Sequence, residues 1–205
     1  MVLGWGLLLP LGALVARFYK VTPRQAWPQV LDNPAWWHAH RALQWAGIAV
    51  MSLGAALAWQ QGGATTLGAR LHGWAGWALV VAGWLQIAGG LARGSKGGPT
   101  ADTLRGDHYD MTAQRQAFER LHKALGWAAL GAAVAVIALG LGLADAPRWM
   151  ALALAAWWLA LAAAFVHLQR RGRCIDTYQA IWGPGQQHPG NRVAAIGWGV
   201  RRPLG

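Results

Sequence analysis

The chain has one cysteine, Cys174, among 205 residues. It can form no internal disulfide, and it has no C-x-x-C-H run for covalent attachment of a haem. Acidic residues are scarce, seven in all, and charged residues make up 12% of the sequence, about half the share of a soluble domain. No segment alternates apolar and polar residues as the strands of a membrane barrel do. What is present is 55% hydrophobic sequence, gathered in blocks near the roughly 20 residues a helix needs to cross a bilayer. Spans are predicted over Val2–Ala16, Ala39–Trp59, Leu71–Ala92, Leu121–Leu143 and Trp149–Leu168. Lipid offers the backbone no hydrogen bonds, so these blocks must be helices. The expected fold is all-α, an integral membrane helical bundle of about five transmembrane helices. It occupies residues 1–168, and a Gly-, Pro- and Arg-rich tail fills 169–205.

Net charge is +11, which in a soluble protein would suggest nucleic acid. Its distribution argues otherwise. Numbering loops by side, sixteen Lys and Arg fall on one side of the bundle and only Arg70 and Arg148 on the other. The positive-inside rule then puts the N-terminus outside and the C-terminus in the cytoplasm of a multi-pass inner-membrane protein. The span Val2–Ala16 follows no basic stretch and does not read as a signal peptide. It is expected to be a reverse-oriented anchor, or the chain to continue upstream of Met1.

Local signals refine the pattern. Pro10 should kink the first span, a distortion that membrane helices tolerate. Asn33 suits an N-cap and Pro34 the first position of the second helix. The outer loop Gly62–Arg70 is short, and the inner loop Arg93–Glu119 should become helical after Thr112. Fifteen tryptophans gather mainly near span ends and read as interfacial anchors. The tail carries turn signals at Gly183-Pro184-Gly185 and His188-Pro189-Gly190, with no assignable fold.

Three histidines, His40, His72 and His122, sit near the starts of successive spans. Imidazoles at membrane depth are costly and usually functional. By topology His40 and His122 share the cytoplasmic depth, so they form a plausible axial pair for one haem iron, while His72 lies toward the opposite face. Small or flexible residues follow each at helical spacing: Gln44, Gly47, Met51 and Gly54; Gly76, Gly83 and Gly90; Gly126, Ala129, Ala133 and Gly140. Such stripes permit close helix packing and leave room for a flat macrocycle. Without a covalent tether the group would be b-type haem. His72 has no histidine partner on its own side. Met1 and Met150 are the other soft ligands there, and a histidine upstream of Met1 is the simpler expectation. His38 reads as interfacial. His167 reads as a snorkelling side chain beside Arg170 and Arg171, with ligation as the alternative. Arg17, Lys20 and Arg24 read as topology-setting charge, with an anionic-substrate site as the alternative.

The run from Trp5 to Phe18, with Pro10 and Arg17, resembles the first core helix of the cytochrome b561 superfamily, in the branch often fused to DOMON modules. Trp36-Trp37-His38-Ala39-His40 with Gln44 is similar to that branch's aromatic-aromatic-x-x-His-x-x-x-Gln string. Leu71-His72-Gly73-Trp74-Ala75-Gly76 and Leu121-His122-Lys123-Ala124-Leu125-Gly126 resemble its next two helix openings. The resemblance covers about Gly4 to Leu143 and implies a four-helix core holding two b haems, with a flanking helix. It implies His40 and His122 on the cytoplasmic haem, His72 on the outer one, and Arg17, Gln44, Gly76 and Gly126 around the cofactors. The partner of His72 in the family pattern precedes the Trp-Gly string and would lie upstream of Met1.

The function expected is transmembrane electron transfer from a cytoplasmic-side donor to an outer-side acceptor. The alternatives are a quinone-reactive cytochrome b subunit of a membrane dehydrogenase, and a non-redox transporter or scaffold. The partners implied are the lipid bilayer, a small-molecule or quinol electron donor, a redox partner protein and a second copy in a homodimer. Nucleic acid is not among them.

Overall fold

A computed structural model describes residues 1–60 and 65–203; of the predicted Gly62–Arg70 loop, residues 62–64 lie outside that set. The described residues form helices and turns, with one isolated bridge between Ile175 and Arg201. A π-helical stretch, Val2–Leu8, runs into α1, Leu9–Phe18. Then come α2 (Ala35–Gln60), α3 (Leu67–Leu91), the short α4 (Asp107–Asp110), α5 (Ala113–Leu143), α6 (Arg148–Arg170) and α7 (Thr177–Trp182). α2, α3, α5 and α6 are long and apolar enough to cross a membrane, and the helix over Val2–Phe18 is apolar but shorter. The protein is a membrane protein built as a helical bundle.

The helix starts are set by side-chain caps. Asn33 Oδ1 accepts the Ala35 N–H at 3.0 Å, Thr66 caps α3 and Thr112 caps α5. Each oxygen satisfies an N–H that the first turn leaves without a partner. α5 begins directly after Thr112, so the last long inner loop does end as a helical extension. At 1.5 Å per residue its 31 residues rise about 46 Å, well beyond a hydrocarbon core of about 30 Å. Its first turns therefore stand clear of the apolar region.

The π/α1 segment, α2, α3 and α5 surround one core of Trp5, Leu9, Ile48, Met51, Leu79, Ala129, Ala133, Val136 and Ile137, with Leu154 entering from α6. Trp5 Nε1 donates to Met51 Sδ at 2.9 Å across it. The antiparallel register of α2 and α3 is visible in two tryptophan pairs, Trp45 with Trp84 (6.1 Å) and Trp59 with Trp77 (5.8 Å). Several tryptophans thus act as rungs between helices. α6 flanks the core beside α1.

Pro10 has no N–H, so the carbonyl of Gly6 loses its α-helical partner. Trp157 Nε1 and Trp158 Nε1 of α6 both donate to that oxygen, each at 3.1 Å. The proline is accommodated by a neighbouring helix, as the absence of water in lipid requires.

The tail folds. α7 is buried along its whole length, and Tyr178, Ile181, Trp182 and Ile196 join Tyr109 and Met111 in a second apolar cluster. Gly98, at φ +88°, and Gly190 lie so close to Trp182 and Tyr178 that a Cβ at either would strike the ring. The glycines give these aromatics their seats.

Candidate functional site

α2 and α5 bring His40 and His122 together. Their ring centres are 6.5 Å apart and their planes cross at 81°. A metal–imidazole bond is about 2 Å, and the nitrogen lies about 1 Å from the ring centre, so two rings flanking one ion stand about 6 Å apart. The observed spacing meets that requirement. His40 Nδ1 lies 2.9 Å from the carbonyl oxygen of Gly12. A carbonyl only accepts, so Nδ1 carries the proton and Nε2 keeps its lone pair. Fixing the tautomer through the other ring nitrogen is the usual support of a ligating histidine. Phe118 packs 5.1 Å from His122 and Trp37 6.2 Å from His40.

His72 stands at the other end of the bundle. Its Nδ1 contacts the Val136 carbonyl at 3.1 Å, which again fixes the proton on Nδ1 and frees Nε2. About 20 Å of helix rise separates Val136 from His122 along α5. The ring rests on Gly140, where a Cβ would lie 2.5 Å from His72 Cε1. A cavity of about 230 Å³ is lined by His72, Met1, Val2, Ile137, Gly140 and Leu141.

The glycine stripes divide into two kinds. Gly47, Gly83 and Gly140 are packing positions, with a neighbouring side chain within 2.7 Å of a would-be Cβ. Gly76 and Gly90 have nothing within 4 Å, and Gly126 has only Gln86 Nε2 at 4.0 Å. Gly76 and Gly126, one turn beyond their histidines, thus border open space. Gln44 Nε2 donates to the Leu9 carbonyl at 3.2 Å and packs on Gly12, holding α2 against α1 beneath His40.

Arg17 turns toward α6 and the tail. Its Nη2 donates to Gln169 Oε1 (2.9 Å) and to the Trp198 carbonyl (2.6 Å). Its guanidinium lies over Phe18, Trp127, Phe165 and Trp198, 5.0 to 5.9 Å from the ring centres. His38 and His167 are exposed.

The sequence reading missed a buried charge network beside His122. Glu119, one turn earlier on α5, pairs with Arg115 at 3.0 Å and Lys123 at 2.6 Å. His108 Nε2 approaches it to 3.4 Å without hydrogen-bond alignment. Burial pushes His108 down to about 4, while Glu119 pulls in the opposite direction. Lys20 is buried too and donates to the Ile175 carbonyl at 3.1 Å. Burial, and then the charge of Lys123, lower its ammonium to about 8. The Arg115, Glu119, Lys123 spacing on one helical face was the available signal. The supporting carbonyls of Gly12 and Val136 left none, because any residue has a carbonyl.

Among the described residues no group of three or more His, Cys, Asp or Glu is placed to hold a metal ion. A haem iron asks for only two axial side chains, since the macrocycle supplies the other ligands. The spacing, the free Nε2 atoms and the clearance at Gly76 and Gly126 fit that group. No family model, no curated protein and no solved structure matches this chain.

Proposed function

We propose that the protein carries electrons across the bilayer through b-type haem, with His40 and His122 as axial ligands of one haem and His72 as a ligand of a second toward the other face. The observation that carries this reading is the His40–His122 pair, with ring centres 6.5 Å apart and His40 held through Nδ1 by the Gly12 carbonyl. The resemblance to the cytochrome b561 superfamily supports it. Bound between two imidazoles, a haem supplies a reversible one-electron couple with no open position for oxygen. The chain's own part is to fix both rings, keep water away with the Trp5–Met51–Ala133 core, and hold Glu119 with its cations one turn from His122. Positive-inside charge supports an inner-membrane protein with its N-terminus outside and C-terminus in the cytoplasm. A small-molecule or quinol donor on the cytoplasmic side, a redox partner protein and a homodimer are proposed with it.

The purified protein should show a low-spin b-haem spectrum. His40→Ala and His122→Ala should each abolish the haem held between them. Full low-spin haem in both variants would sink the assignment. Reduction by ascorbate as against quinol then separates a stand-alone electron carrier from a quinone-reactive subunit.

A further inference from the structure

The basic residues around the end of α6 fall into two groups. Arg17 is held by Gln169 and the Trp198 carbonyl, Arg173 by the Val21 carbonyl and Arg202 by Asp176. These charges are satisfied within the protein. His167, Arg170 and Arg171 are exposed, and among the described residues none of them has an acidic partner.

Their direction follows from the helix period. Phe165 packs on Phe18 (5.3 Å) and Trp127 (5.6 Å), and Gln169 bonds Arg17 and the Gly199 carbonyl. Those two residues mark the side of α6 turned to the bundle. At about 100° per residue, Ala163, His167 and Arg171 point the opposite way within roughly 40°, with Arg170 beside them. A shallow depression of about 670 Å³ on this outer face is lined by Ala163, Val166, His167, Arg170 and Arg171. It is apolar on the side toward the span's middle and cationic at the span's end.

Topology-setting charge needs only the correct side of the bilayer. It has no need to gather on the one face that looks away from the protein. Cations at that place meet lipid headgroups. We infer that this face of α6 binds an anionic glycerophospholipid, its phosphate held by Arg170 and Arg171 with His167 beside them and an acyl chain lying along Ala163 and Val166. Guanidinium groups suit a phosphate because their donors match its oxygens in pairs. The small side chain of Ala163 leaves the groove that a chain can follow.

The test is native mass spectrometry of the full chain released from mixed micelles holding equal amounts of phosphatidylglycerol and phosphatidylcholine. The wild type should retain phosphatidylglycerol preferentially. Each arginine near a charged surface contributes about fivefold, so Arg170→Gln with Arg171→Gln should cut the preference on the order of 10- to 30-fold. The Arg→Lys pair should keep part of it. Arg105→Gln, an exposed charge in the α3–α5 loop, should leave it unchanged, and an unaltered melting curve of the Gln pair shows that the fold is intact. Equal retention of both lipids by the wild type, or an undiminished preference in the Gln pair, overturns the proposal. Displacement of the lipid by excess inorganic phosphate would show a free-anion site and overturn it as well.

Discussion

A histidine in an apolar bundle has two ring nitrogens to satisfy, and at His40 and His72 a main-chain carbonyl takes one of them. At the residue scale this makes Gly12 a positioning residue. A Cβ there would lie 2.2 Å from Gln44 Nε2 and 3.2 Å from Leu43 Cβ, so Gly12→Ala should displace the Gln44 amide that holds α2 against α1 next to His40. On the haem reading proposed above, haem should still bind with shifted low-temperature EPR g-values; an unchanged spectrum would separate Gly12 from His40. His108 yields a second residue-scale expectation, in pH. Its folded value is about 4 against an ordinary 6.5, so between those limits the unfolded chain takes up a proton that the folded chain refuses. Stability contributed by neutral His108 is present above about pH 6.5 and is lost as pH falls toward 4. Because His108 lies 4.7 Å from Trp182, the loss should appear in tryptophan-detected melting, and His108→Phe should flatten that slope. An identical acid response in the variant would move the cause to the carboxylates.

At the scale of elements, the Gly6 carbonyl shows how one helix completes another. Trp157 and Trp158 both donate to it, so either one replaced by Phe leaves the oxygen satisfied. Replacing both should cost about 1–3 kcal/mol, the usual penalty for a buried acceptor without a partner. Adding Pro10→Ala restores a backbone N–H for Gly6 and should recover much of the loss in detergent melting; no recovery would mean that the indoles act by packing alone. The long helices were legible because apolar runs and cap residues such as Thr112 are local signals. The π-helical entry was not legible, since its irregularity is made tolerable by indoles some 150 residues away. The glycine stripes were half legible. Sequence spacing put Gly76 and Gly83 on one face, but only the helix opposite decides that Gly83 meets Ile48 while Gly76 meets nothing.

For the whole molecule, sixteen basic residues against two predict that a reporter fused to the C-terminus is active in the cytoplasm. A reporter active only outside would reverse every side assigned above. The same end of the bundle carries the feature least readable in the sequence. Turn-rich composition in 169–205 gave no fold, because its order comes from contacts with residues distant in the chain. Tyr178 Oη donates to the Tyr109 carbonyl at 2.7 Å, Lys123 Nζ to the Ile196 carbonyl at 2.8 Å, and Lys20 to Ile175. Trp182, 1% exposed, is the centre of this cap, packed against Tyr178 (4.6 Å), His108 (4.7 Å) and Tyr109 (5.5 Å). Trp182→Ala should cost the cap about 3–5 kcal/mol, the range for truncating a buried aromatic. That exceeds what a small cluster of six buried apolar residues can lose and stay closed, whereas the transmembrane core is a separate cluster and should survive. Limited trypsin digestion should then cut at Lys20 and Arg115, both buried in the folded protein, while the far-UV helix signal in detergent stays near the wild-type level. Wild-type resistance at those two sites in the variant would mean that the cap holds without its central ring. Collapse of the helix signal would instead mean that cap and bundle form one cooperative unit.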